Sequence, residues 1–95
     1  MVQELEKLKK IALPILKKAS ITHSSIFGSV ARGEHRSDSD IDILIEFQGK
    51  KTLFDLVELK QELEKALGRK VDLVTRRSIH KPLRELIKKE EVAIL

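Results

Sequence analysis

One stretch of seven residues constrains the fold more than any other part of this chain. Residues 41–47, IDILIEF, carry apolar side chains at every odd position, namely Ile41, Ile43, Ile45 and Phe47. Successive side chains of a β-strand point to opposite faces of the sheet, so this alternation predicts a strand whose odd face is buried in a core. Asp42 then points to the opposite face, as does Asp40 just before the strand.

Helical and strand patterns alternate along the rest of the chain. Apolar residues recur at helical spacing in three segments, over residues 2–19, over 53–67, and from Pro82 to about residue 90. Short strands are predicted over 21–27, over 41–47 and in KVDLVT, and the terminal VAIL is predicted to be an edge strand or a packing arm. With a short helix opened by Gly28, the order is helix, strand, helix, strand, helix, strand, helix, strand. This order predicts one α/β domain over residues 1–95.

Two details of the helices are open to test. Pro14 lies inside the first helical segment and should kink or split it near Leu13, because its ring removes a backbone donor and crowds the preceding turn. In the helical segment over residues 53–67 one face is predicted to be buried. Its residues are Leu53, Leu56, Val57, Leu63 and Leu67. Gly68 follows where a helix C-terminus favours left-handed dihedrals.

Composition limits the classes of function. Ninety-five residues with 41% hydrophobic content support one modest core and leave little room for a deep pocket, so a partner chain is expected to complete any binding surface. The absence of cysteine excludes disulfides and thiolate zinc sites. No apolar run near the N-terminus is long enough for a signal sequence or a membrane span, so a cytoplasmic protein is expected. The net charge of +4 permits nucleic-acid binding, but with three Phe and no Tyr or Trp the stacking platforms of single-strand binders are missing.

The segment FGSVARGEHRSDSDID, residues 27–42, is where chemistry is predicted. A strand followed by Gly28-Ser29 at the start of a helix exposes unpaired backbone amides, and such a corner binds phosphate. Gly28 has no side chain to block close approach, and Ser29 adds a hydroxyl donor. The same dipeptide is also a common turn, so the pair alone is not decisive.

The carboxylates strengthen the prediction. Asp40 and Asp42 lie two residues apart and can hold one cation between them, and hard oxygen ligands of this kind suit Mg²⁺. Asp72 lies on the polar side of the strand VDLVT and joins them if the two strands pair. Three carboxylates can hold two metal ions and support phosphoryl or nucleotidyl transfer. For each acid alone a solvated loop or a cap is the favoured interpretation, but their joint occurrence favours the metal site.

The motif Gly-Ser, ten residues, then Asp-x-Asp resembles the minimal nucleotidyltransferase domains of the DNA polymerase β superfamily, with Asp40-Ile41-Asp42 at the matching spacing. The resemblance implies a small mixed β-sheet with helices packed against it. It also implies that Asp40 and Asp42 bind two Mg²⁺ ions, that Asp72 is a further metal ligand and helps to activate the acceptor hydroxyl, and that pyrophosphate leaves. Gly28 and Ser29 would hold the triphosphate. Arg32, which lies within the motif, is a further candidate for phosphate binding.

The resemblance also implies a partner. Minimal members commonly accompany a HEPN ribonuclease toxin and act as its antitoxin, by transferring AMP from ATP to a toxin tyrosine. A hetero-complex with such a toxin is therefore expected, without a membrane and without direct nucleic-acid binding. Three alternatives stay open at this point: neutralisation by binding alone, nucleotidyl transfer to a small molecule, and a basic nucleic-acid module whose binding would weaken steeply with salt.

Overall fold

A computed structural model describes residues 2–31 and 40–95, with side chains for 5–28, 31 and 40–95. The helices are α1 (Val2–Lys18), α2 (Gly28–Ala31), α3 (Leu53–Leu67) and α4 (Lys81–Glu90), and the strands are β1 (Ile21–Phe27), β2 (Ile41–Phe47), β3 (Val71–Thr75) and β4 (Val92–Ala93). A 3₁₀ turn, Arg76–Ser78, follows β3. The predicted order of elements and the α/β class are confirmed. None of the helices in the described residues is long and apolar enough to cross a membrane.

The four strands form one mixed sheet in the order β3-β2-β1-β4. β1 pairs antiparallel with β2 and with β4, whereas β2 and β3 run parallel. A parallel pair needs a crossover connection, and α3 supplies it between β2 and β3. The C-terminal segment forms the edge strand β4 beside β1, and β2 is an interior strand because it pairs with both β1 and β3.

The central strand β2 is buried on both faces over part of its length. Its odd residues Ile41, Ile43 and Ile45 are 0% exposed and pack in the main core beneath α1 and α3, as the alternation predicted. On the other face Leu44 packs against Ile79 and against Ile87 of α4. The helix α4 therefore covers the middle of the face of β2 that carries Asp42, while Asp42 itself is half-buried near the start of the strand.

Helix α1 is not split at Pro14. It runs as one element from Val2 to Lys18 with Pro14 inside it, so the predicted break near Leu13 is wrong in that respect. The buried residues Leu8 and Leu16 lie on either side of the proline and belong to the same core cluster. Their packing against the sheet stabilises a continuous helix despite the backbone hydrogen bond that proline removes.

The buried face of α3 is rotated from the predicted one. The buried residues are Leu59 and Leu63, whereas Leu53 is 76% exposed and Val57 43% exposed. Each residue of an α-helix is rotated by about 100° from the residue before it. Leu53 and Val57 therefore lie well around the helix from Leu59. The predicted stripe was therefore too wide, and its outer edge, with Phe54 beside it, faces solvent.

Both ends of α3 have specific caps. The Thr52 hydroxyl accepts a hydrogen bond from the Asp55 amide at 3.2 Å, and the Thr52 amide donates to Asp55 Oδ2 at 2.9 Å. The backbone hydrogen bond from Thr52 lowers the pKa of the Asp55 carboxyl, so the cap is present above that pKa and is lost as the pH falls through it. Gly68 ends the helix with the predicted left-handed dihedrals (φ 68°).

Truncation of one leucine at each end of α3 tests this placement. We expect Leu63→Ala to lower the free energy of unfolding by about 2–5 kcal/mol, because it leaves a cavity in the main core. Leu53→Ala is the matched control, with the same chemical change in the same helix at an exposed position, and should stay within about 0.5 kcal/mol. Urea denaturation followed by circular dichroism measures both. A larger loss for Leu53→Ala would contradict the orientation of the helix.

Candidate active site

Three neighbouring strands bring a row of residues together across the sheet. Asp42 of β2 is paired with Asp72 of β3 in parallel register and with Phe27 of β1 in antiparallel register. Paired strands lie about 4.8 Å apart, and residues in register share a face, so the two carboxylates project side by side. The pairing of the two strands, on which the sequence argument for convergence depended, is present.

Asp40 lies in an exposed position directly before β2. The amide of the next residue, Ile41, donates to the carbonyl of Lys70 at 2.9 Å, which extends the contact between the two parallel strands to their first residues. Because Asp40 is two residues before Asp42, an extended backbone directs both side chains to the same side of the sheet. The Asp-x-Asp segment thus lies at the same end of the two parallel strands as Asp72.

Gly28 follows β1 directly and is in contact with Asp42. Its φ is +76°, and a Cβ atom built on it would overlap Asp42 Oδ2 and lie 3.1 Å from the carboxyl carbon. The sequence analysis related the missing side chain to the approach of phosphate. The structure adds a second reason, since the Asp42 carboxylate occupies the space that any side chain at position 28 would need.

The remaining predicted residues are placed only in part. Helix α2 is a single turn, Gly28–Ala31, and contains the backbone of Ser29. The Ser29 side chain and the whole of Arg32 lie outside the described residues. Their contacts with phosphate therefore stay predictions.

The carboxylates form an open arrangement. Within residues 2–31 and 40–95 no group of three or more His, Asp or Glu side chains comes close enough to enclose a metal ion. The in-register pair Asp42 and Asp72, with Asp40 adjacent, instead offers oxygen donors on one side only. This donor set fits Mg²⁺, which is usually bound through one or two carboxylates together with substrate phosphates and water rather than by an all-protein cage.

A second polar cluster on the same face was missed. Arg76 forms an ion pair with Glu46 at 2.9 Å and lies 3.8 Å from Glu91, whose Oε2 accepts a hydrogen bond from Ser25 at 3.0 Å. The Arg76 side chain is only 33% exposed and is held by these contacts. Glu46 and Arg76 each lie four residues after one of the paired aspartates and therefore on their face, but their contact follows only from the register between β2 and β3.

Comparison with known proteins agrees with this geometry. The profile of the nucleotidyltransferase domain matches residues 5–94. A candidate protein adenylyltransferase of Methanocaldococcus jannaschii is 48% identical over 91 residues, which are 96% of this chain and 98% of the relative. The solved structure of a candidate minimal nucleotidyltransferase superposes with a TM-score of 0.82 at 40% identity and 93% coverage of both chains.

A further solved structure is described as a toxin–antitoxin with AMP-PNP. It superposes with a TM-score of 0.81 at 26% identity and covers 92% of this chain and 72% of its own. Taken with the profile match over residues 5–94, these similarities show that the chain belongs to the nucleotidyltransferase family. It is therefore a nucleotide-transferring enzyme by class, and members of this family generally use a divalent metal.

Two glycine substitutions test the contact between Gly28 and Asp42. Gly28→Ala places a methyl group in the space of the Asp42 carboxylate, whereas Gly49→Ala, at φ +81°, meets nothing within 4 Å. Both should lose about 1–2 kcal/mol of stability because of the left-handed backbone. Only Gly28→Ala should also weaken binding of a Mg²⁺–ATP analogue, as measured by calorimetry. Equal affinities in the two variants would contradict the role given to this contact.

Proposed function

We propose that this chain transfers AMP from ATP to a hydroxyl group of a partner toxin and thereby acts as its antitoxin. The observation that carries the proposal is the in-register pairing of Asp42 with Asp72 beside the Gly28 corner. The name of the M. jannaschii relative supports protein adenylyl transfer, and the toxin–antitoxin structure with AMP-PNP supports both the nucleotide and the kind of partner. A tyrosine of a HEPN toxin is the acceptor that the family resemblance implies.

Asp40, Asp42 and Asp72 are the residues that would hold Mg²⁺, with two ions expected. Bound there, the metal would neutralise phosphate charge and lower the pKa of the attacking hydroxyl. Asp42 is half-buried between β1 and β3, and its Oδ2 lies against Gly28. A carboxylate placed in this way is suited to positioning the nucleotide phosphates accurately relative to the acceptor.

The sheet order favours different positions for the two substrates, ATP and the acceptor hydroxyl. Gly28 directly follows β1, which pairs with β2 on one side of Asp42, and Ser29 and Arg32, the other proposed triphosphate ligands, follow Gly28 in the sequence. Asp72 is exposed and belongs to the edge strand β3 on the other side. The triphosphate is therefore expected over the β1 corner and the acceptor over the β3 edge, where a protein surface can approach.

In the proposed reaction the acceptor oxygen forms a bond to the α-phosphorus while the bond from that phosphorus to pyrophosphate breaks. Asp72 accepts the hydroxyl proton, because it is the carboxylate nearest to the open edge. Pyrophosphate leaves on the side of Gly28. Asp72 is exposed on the edge strand β3, where a macromolecular acceptor can approach with its own surface, so a protein acceptor is favoured over a free small molecule.

Substitution of the acids tests this assignment. We expect Asp42→Asn and Asp40→Asn to lower AMP transfer by at least about a hundredfold, since each removes charge that balances the transition state. Asp72→Asn should lower kcat while leaving ATP binding largely intact. Glu58→Gln, an exposed acid on α3, is the control and should transfer at the wild-type rate. The measurement is transfer of label from ATP labelled at the α-phosphate, with the product of the adjacent gene as the candidate acceptor.

Two results would contradict the proposal. Retained turnover in Asp42→Asn would remove the metal-binding role from the paired carboxylates. Absence of label from wild-type protein with any of the four nucleoside triphosphates, alongside a stable complex with the toxin, would instead indicate an antitoxin that acts by binding alone.

A further inference from the structure

A cavity of about 290 Å³ lies at the opposite ends of β2 and β3 from the paired aspartates. Three arginines line it, Arg76 and Arg77 from the 3₁₀ turn and Arg84 from α4, with Phe47 and the single carboxylate Glu46. Arg76 lies four residues after Asp72, about 13 Å along an extended strand. The cavity is therefore distinct from the site where the nucleotide is proposed to react, and it has no part in the proposed function.

The three arginines of the cavity differ in the contacts that they make. Arg76 is balanced by Glu46 at 2.9 Å, although its buried Nε lacks a well-aligned hydrogen bond. Arg84 donates its Nε hydrogen to the carbonyl of Ile79 at 3.0 Å, which fixes the guanidinium group and directs its terminal nitrogens away from that bond. Arg77 is exposed and makes no contact of this kind with any residue in the described part of the chain.

The cavity has an excess of positive charge. Among the described residues, three guanidinium groups line the cavity with one carboxylate, Glu46, and Glu91 lies outside the lining at 3.8 Å from Arg76. Such an excess of arginine beside an apolar wall favours an anion that offers several acceptor oxygens to forked donors and also carries an apolar part. The volume is at the lower limit for small-molecule sites, which suits a ligand of mononucleotide size.

We propose that this cavity binds a phosphate-bearing small molecule of mononucleotide size, with Arg77 and Arg84 as the phosphate ligands. Arg76 serves mainly to hold the wall of the cavity, since Glu46 and Glu91 both lie within ion-pair distance of it. The phosphate contacts come from Arg77 and Arg84, whose terminal donors form no ion pair with a carboxylate of residues 2–31 or 40–95.

The test is titration with AMP in the presence of EDTA, followed by the backbone amide signals in two-dimensional NMR. Without divalent metal, binding at the aspartates is disfavoured, because their charge repels phosphate. We expect AMP to shift the signals of Thr75, Arg76 and Arg77 and to leave that of Gly28 unchanged. Arg77→Gln should weaken the affinity by about tenfold or more, as expected for loss of a charged hydrogen bond. Arg84→Gln should act in the same direction.

Lys10→Gln is the matched control, because it removes one positive charge from an exposed position on α1 far from the cavity. Its affinity for AMP should equal that of the wild type. Shifts confined to Gly28 and its neighbours, or an affinity that Arg77→Gln and Arg84→Gln leave unchanged, would overturn the proposal. A short RNA that binds the same residues much more tightly than AMP, with a steep dependence on salt, would overturn the assignment to a small molecule.

Discussion

The parallel register between β2 and β3 is the constraint on which the rest of the site depends. It sets Asp42 beside Asp72, and a shift by one residue would turn one of the two carboxylates into the core face. Ile41, Ile43 and Ile45 prevent such a shift, because all three are fully buried on the opposite face of the same strand. The hydrophobic core therefore determines the positions of the charged groups, although it makes no contact with the proposed substrates.

Gly28 connects this register to the proposed phosphate corner. The strand β1 ends at Phe27, which is paired with Asp42, so the chain turns away from the sheet directly beside that carboxylate. A residue with a Cβ could not turn there without displacing Asp42. The Gly-Ser and Asp-x-Asp elements, separated by ten residues in the sequence, thus meet in the structure where Gly28 contacts Asp42.

The sequence was sufficient for the features that depend on local periodicity. It predicted the order of elements, the buried odd face of β2 and the left-handed Gly68. It could not predict features that depend on packing between distant segments. Pro14 does not split α1, because Leu8 and Leu16 pack in the same core on either side of it. The ion pair between Arg76 and Glu46 depends on strand pairing that joins residues 30 positions apart.

The central claim is that the paired aspartates hold the divalent metal against the nucleotide. Crystals grown with Mn²⁺ and a non-hydrolysable ATP analogue, measured for the anomalous signal of manganese, test it most directly. The account predicts manganese peaks within about 2 Å of carboxylate oxygens of Asp40 and Asp42, with Asp72 in contact with one of them. A bound nucleotide whose manganese peaks are remote from all three aspartates would contradict it.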